Sequence, residues 1–276
     1  MEIMEIIKDA FTFPANNLKA LAIYIVITFV VGIFVAGGII TSIFSIDSSA
    51  YLVVSAILFI IALVIGFILS GYEIDIIKTG IEREDLAPSF DFKNDLIRGI
   101  KAIIVTIVYF IIPAIITTIV AFITNVPGNV VNVAGYLNQT VANTNGTVVA
   151  NSAIDMIPQD VLANLIGSVS ITILIAAVLF IIFSFIQYMA NARLANTDSL
   201  GEALNIPEAF RDISRIGYGK VIATVILVII IIAVITGILS YIYQQVPALA
   251  ILNIIVTPFL MFAMNRANGL LYSEIA

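Results

Sequence analysis

The chain has 276 residues, 61% of them hydrophobic and only 11% charged, with a mean hydropathy of +1.15. That balance excludes a soluble globule and identifies an integral membrane protein. A formal net charge of −6 argues against a nucleic-acid partner, and the lack of His and Cys removes the imidazole proton shuttle, thiolate metal sites and disulfides, so no cofactor is expected.

The first residues, MEIMEIIKDAFTF, have no apolar core followed by a small-residue cleavage site, so they do not read as a signal peptide. Ile3, Ile6, Ile7 and Ala10 recur at helical spacing opposite Glu2, Glu5, Lys8 and Asp9. This predicts an amphipathic helix lying in the headgroup region. Six apolar spans follow, near 19–44, 51–77, 100–124, 163–192, 219–243 and 248–272. Each is long enough for a hydrocarbon core about 30 Å thick, and helix is the state that satisfies its own backbone in lipid. Gly32, Gly37, Gly38 and Gly66 in the first two spans read as small residues that permit close helix approach. Short turns at 45–50 and 244–248 predict antiparallel hairpins.

The segment 73–101 mixes acidic residues with five basic ones and reads as a solvated loop whose carboxylate spacing matches no metal-ligand set. On the other side, 125–162 reads as a long outer loop. It holds glycosylation-type sequences at Asn138 and Asn145, and a β-hairpin over Thr140–Ala150 turning at Asn145-Gly146 competes with them. A plain polar loop is favoured over glycan attachment there. Pro158 with Asp160 predicts the start of the helix leading into the fourth span. Ser199 with Glu202 forms a capping-box pattern, and Pro207 starts a further short helix.

Every Lys and Arg falls on one side of this arrangement: Lys8 and Lys19, then Lys78 to Lys101, then Arg193 to Lys220, and Arg266 at the end of the sixth span. The positive-inside rule places both termini in the cytoplasm of a multi-pass protein of the cell membrane. The stretches FTFPANNLK, FDFKNDLIRGIK and FRDISRIGYGK each run from Phe through polar residues to a basic residue before a span. They predict a single six-helix domain over 1–276 made of three tandem hairpins, about 1–80, 88–196 and 206–276.

No Asp, Glu, Lys or Arg lies near the middle of a span, which argues against ion-coupled transport. Thr106, Thr117, Thr118, Ser168, Ser170 and Thr172 read as helix-packing residues, leaving Asn253 with Thr257 as the candidate intramembrane polar site. Pro113 and Pro258 lie within spans as candidate kinks. Lys19, Arg98, Lys101, Arg215 and Lys220 stand at headgroup level, as candidate contacts for anionic lipid or as ordinary topological charges. The expectation is a non-enzymatic accessory, scaffold or membrane-organising protein, with membrane lipids and a membrane-protein partner or a second copy as partners. The alternative is a transporter or channel for a neutral or lipid-like solute.

From the second span onward the residues become specific: Gly71-Tyr72, then Ile77, Lys78, Gly80, Leu86, Pro88, Phe90, Asp91, Phe92 and Leu96, then Gly99-Ile100-Lys101, Tyr109 and Pro113. This pattern resembles the prokaryotic, largely archaeal membrane-protein family catalogued as domain of unknown function 4013. In that family a Gly-Tyr span end, a basic glycine-containing linker, a Leu-Pro loop with an acidic-aromatic pair and a Gly-x-Lys stretch follow one another. Here Ala87 separates Leu86 from Pro88, and Phe92 stands where the aromatic is often Trp. The resemblance implies fold and membrane location, and it carries no functional residue because the family has no established activity.

Overall fold

The computed structural model describes residues 1–44, 48–143 and 157–276, and all regular structure among them is helical. Helix α1 spans Ile3–Asn16, α2 Leu18–Ile43, α3 Ser49–Glu82, α4 Phe92–Ile123 and α5 Val126–Asn143. Next come α6 at Gln159–Thr197, α7 at Leu200–Ala203, α8 at Ile206–Ile216, α9 at Tyr218–Gln245, a 3₁₀ turn at Pro247–Leu252 and α10 at Asn253–Tyr272. Six of these segments are long and apolar enough to cross a membrane. Helix α3, with 34 residues, is roughly 50 Å long at the usual rise. It therefore outruns a hydrocarbon core of about 30 Å and carries its polar end into water.

Local signals set most boundaries. The Glu5 side chain accepts the Glu2 N–H at 2.9 Å and opens α1. Ser48 Oγ accepts the Ala50 N–H at 3.3 Å before α3, which ends at Arg83 in the left-handed region (φ 57°). Ser199 and Asn205 cap α7 and α8 by accepting the N–H groups of Glu202 and Glu208. The sixth span departs from a single helix, because its first turn after Pro247 is 3₁₀ and α-helix begins at Asn253.

The chain divides into two compact units, Met1–Thr106 with Ile186–Ala276, and Ile107–Phe185. In the first unit α2 packs beside α3, while α10 makes its main contacts with α3 and α1 rather than with α9, its neighbour in the chain. The core of this unit includes Tyr24, Tyr72, Phe262 and Phe13, with Tyr24 and Phe262 edge to face at 5.3 Å. Burial gathers where residues of 1–17, 67–101, 186–220 and 262–276 meet, called here the charged end.

Helix approach at that end depends on missing side chains. A Cβ at Gly71 would stand 1.7 Å from the Asp95 carbonyl oxygen, and one at Gly99 would stand 1.7 Å from that of Phe67. Gly269 is equally tight, with the Ile77 carbonyl oxygen 2.0 Å from its missing Cβ. Of the glycines in the first two spans, Gly37 and Gly38 do face Leu58 and Phe59, but Gly32 and Gly66 have no neighbour within 4 Å. Two of the four expected close approaches are therefore absent. The apolar stripe of α1 also differs from expectation: Ile6, Ile7, Ala10 and Phe13 are buried, and α1 packs on α10, where small residues such as Ala263 and Ala267 leave room. Away from the charged end, Ile229, Ile230, Val234 and Ile238 of α9 are all half-exposed, a surface that hydrocarbon chains cover.

In the second unit, the segment read as an outer loop contains the helix α5. Thr140–Asn143 are helical rather than a strand, and the turn residues Asn145-Gly146 lie outside the described residues. Asn125 in the left-handed region (φ 59°) separates α4 from α5. Val126, Asn129, Val133 and Leu137 recur at helical spacing on the less exposed side of α5, a period that the abundance of Asn and Gly had masked. Asn129 Nδ2 donates to the Asn164 carbonyl and to Ser168 Oγ, tying α5 to α6. Thr124 and Thr172 share a hydrogen bond of 3.0 Å, so Ser168 and Thr172 link helices, whereas Thr118 bonds the Ala114 carbonyl of its own helix.

Candidate functional site

Arg266 organises the charged end. It lies on α10, is 1% exposed, and its guanidinium sits 4.5 Å above the Phe13 ring. Its Nε donates to Asp9 Oδ1 at 2.8 Å, and Nη1 donates to the carbonyls of Thr79 and Glu84 at 2.9 and 2.6 Å. One side chain thereby joins α1, the end of α3 and the linker after it. In the sequence Arg266 stands out only as a topological charge at the end of the sixth span. A run of polar residues in a span end, Asn265-Arg266 followed by Asn268-Gly269, was the available signal.

A second network centres on Asp212 of α8, which is 1% exposed. Arg193 Nη1 and Arg215 Nη1 each donate to it at 2.8 Å, and the Tyr272 hydroxyl donates at 3.2 Å. Arg193 also holds Glu202 through an ion pair and a backbone contact. Burial of two opposite charges is tolerated here because the oxygens of Asp212 have three donors.

Two further clusters close the end. Asp198 receives Lys101 Nζ at 2.8 Å and lies 3.7 Å from Arg98 Nε, while Arg98 Nη1 donates to Asp75 at 2.6 Å. Burial would raise the Asp198 carboxyl, but the Lys101 hydrogen bond and the charges of Lys101 and Arg98 outweigh it and hold the group below its ordinary value. Glu274 accepts from both Lys220 Nζ and the Met1 ammonium. Its carboxyl, too, is held down by those cations against the upward pull of burial.

Four of the five cations read as candidate lipid contacts therefore have carboxylate partners: Arg98, Lys101, Arg215 and Lys220. Lys19, which is exposed, alone of the five has no ion pair among the described residues. It lines a pocket of about 410 Å³, with Asn16, Ile23, Leu86, Ser89 and Phe90. The pocket wall is held firmly. Asn17 Nδ2 donates to the carbonyls of Phe13 and Asp85, its Oδ1 accepts from the Ala87 N–H, and Phe90 stacks on Tyr72 at 3.8 Å. The Tyr72 hydroxyl also donates to the Pro88 carbonyl at 2.9 Å.

A cavity of about 550 Å³ lies along the span region of the same unit, bounded by Thr28, Gly32, Ile33, Asn253, Thr257 and Pro258. The structure thus brings Asn253 and Thr257 together on one wall, with Asn253 Oδ1 accepting from the Tyr243 hydroxyl at 3.0 Å. Of the glycosylation-type positions, Asn138 lies on α5 and Asn145 lies outside the described residues.

The geometry gives physical roles to the sequence pattern between the second and third spans. Gly71 and Gly99 allow the crossing of α3 and α4, Gly80 packs against Gly269, and Tyr72, Pro88 and Phe90 fix the linker. Comparison with known proteins agrees with that pattern. An uncharacterised protein of Methanocaldococcus jannaschii, MJ1189, is 39% identical over 67 residues, covering 22% of this chain and 24% of the relative. The match thus spans about a quarter of that protein's length. No solved structure matches. The family profile described as a protein of unknown function (DUF4013) matches residues 54–244, more than half of the chain, and the chain belongs to that family.

Proposed function

We propose that this protein is a non-enzymatic accessory or scaffold of the cell membrane, with its charged end and both termini in the cytoplasm. The supporting observation is the commitment of charge to assembly. Arg266, Asp212, Asp198 and Glu274 each join segments that are distant in sequence, so the charged end is a prebuilt platform rather than a set of free catalytic groups. On α8 this platform presents the exposed side chains of Phe210 and Arg211, and Tyr218 follows beside them, with the Phe210 and Tyr218 rings 6.0 Å apart. An aromatic pair beside a cation is the kind of surface on which a protein partner docks. Native mass spectrometry of the protein, extracted in lipid discs from its own membrane, tests this reading. A protein companion at fixed stoichiometry, lost on Phe210→Asp, is the expected result. A companion-free protein, or one that keeps the companion in that variant, overturns it.

Topology has its own test, made simple by the absence of native Cys. A Cys at Asn145 should react with an impermeant reagent from outside the cell, and one at Asp85 should not.

A second reading, transport of a neutral or lipid-like solute, is favoured by the 550 Å³ cavity and the polar groups Asn253 and Thr257 on its wall. It predicts a retained solute whose loss follows Asn253→Ala.

A further inference from the structure

Lys19 is distinguished from the other candidate lipid contacts by having no carboxylate partner among the described residues and by standing on a formed pocket. Below it in α2, toward the apolar part of the helix, Ile23 supplies a hydrophobic wall. The pocket does not end at Lys19. Asn16 and Leu86 also line a second recess of about 390 Å³, whose other walls include Asp9, Asp85 and Arg266. In that recess Arg266 is already bound by Asp9, whereas the exposed Asp85 carboxylate has no hydrogen bond or ion pair among the described residues. The Asp85 carbonyl is held by Asn17, just before α2 begins, so along α2 the walls run from Ile23 through Lys19 to Asp85. Apolar, positive, negative is its order from the span outward.

A phospholipid with an ammonium headgroup has the complementary order: hydrocarbon and glycerol, then phosphate, then ammonium. We propose that the groove running from Lys19 to Asp85 binds one membrane phospholipid of the phosphoethanolamine type. Lys19 Nζ takes the phosphodiester, Asp85 takes the primary ammonium, and Asn16 and Ser89 offer hydrogen bonds along the way. The first turn of α2, with its partial positive charge, adds to attraction at the phosphate end. At about 410 Å³ the Lys19 pocket alone has the volume of roughly a dozen water molecules, enough for a headgroup and its glycerol. The Asn17 clamp and the Tyr72–Phe90 stack fix the linker before any lipid arrives, which lowers the ordering cost of binding.

The site deepens the membrane-organising reading and rests on the charged end meeting a headgroup layer. Its test is native mass spectrometry of the full chain in detergent, supplied with equal amounts of phosphatidylethanolamine, phosphatidylglycerol and phosphatidylcholine of identical chains. One phosphatidylethanolamine should be retained with several-fold higher occupancy than either competitor. Phosphatidylglycerol lacks the ammonium, and phosphatidylcholine has a quaternary nitrogen that cannot donate a hydrogen bond. Lys19→Gln should lower total phospholipid retention about tenfold, equivalent to about 1.4 kcal/mol. Asp85→Asn should keep retention and abolish the preference for phosphatidylethanolamine over phosphatidylglycerol. Both side chains are exposed and unpaired, so unchanged thermal unfolding accompanies each variant if the reading holds. Equal retention of the three lipids by the wild type, or full retention by Lys19→Gln, overturns the proposal. Displacement of the lipid by millimolar inorganic phosphate overturns it as well, because the site would then be one for a soluble anion. A detergent assay has no sides, so its failure counts against the headgroup site alone, whereas labelling of Asp85→Cys from outside counts against the topology alone.

Discussion

Helix α10 is buried continuously from Asn265 to Tyr272, whereas at its first turn Asn253 and Ile255 are exposed. The buried part carries Arg266 and Asn268, whose side chains reach the carbonyls of Thr79, Glu84 and Tyr188. The exposed part has the bond from Tyr243 to Asn253 and a cavity beside it. Both parts belong to one apolar span, yet specific protein contacts are concentrated in one of them. Lipid has no hydrophobic preference for one apolar helix face over another, so directional polar contacts and close backbone approach must select the arrangement.

The contrast can be broken most directly at Arg266. Arg266→Met leaves the Asp9 carboxylate without its partner and removes a donor from the Thr79 and Glu84 carbonyls, and should cost about 3–5 kcal/mol, read as a large fall in the unfolding temperature in detergent. Asn253→Ala at the open part of the same helix should cost less than about 1 kcal/mol. Equal effects would remove the distinction between the two parts.

Glycine substitutions give the next largest effect. Gly99→Ala puts a methyl group against the Phe67 carbonyl and should destabilise by about 1–3 kcal/mol. Gly66→Ala, which meets nothing within 4 Å, should be neutral or stabilise by up to about 1 kcal/mol through helix propensity. Chemical denaturation of the pair in mixed micelles checks the sign of each.

Acid should loosen the charged end selectively. Asp198 and Glu274 are held below their ordinary values, Asp198 by Lys101 and Arg98 and Glu274 by Lys220 and the Met1 ammonium, in each case against the effect of burial. A carboxylate lowered in this way stabilises the folded state fully above its ordinary range and stops doing so as pH falls through the lowered value. The unfolding temperature should therefore hold down to pH ~4 and fall below it. Asp198→Asn should flatten that fall, and an unchanged profile would argue against Asp198 as a contributor. The smallest effect is expected at the exposed pair of Lys78 and Glu82, 3.9 Å apart, where Lys78→Ala should change stability by no more than about 0.5 kcal/mol.

The legible parts of this protein were those with a local cause. Ser199 before Glu202 announced α7 and Pro207 announced α8, because such signals act within one turn. The helix α5 was missed because its stripe of Val126, Val133 and Leu137 is thinly spread among Asn and Gly. Arg266 was visible as an odd charge at a span end, but its partner Asp9 lies 257 residues away, and no spacing rule connects them. Lys19 was visible as one of five cations, and only the pairing of the other four set it apart.

By itself the sequence determined that this chain is helical, that it has six segments able to cross a membrane, and that it carries the family's glycine and aromatic pattern. Hydropathy, backbone satisfaction in lipid and chain-local turns depend on neighbours within a few residues. Tertiary structure alone decided that α10 packs on α3 and α1, that Arg266 and Asp212 are buried with several partners each, and that Lys19 faces a pocket. Those outcomes depend on which side chains meet after packing, where desolvation makes a charge costly unless a partner from a distant part of the chain arrives in hydrogen-bonding geometry.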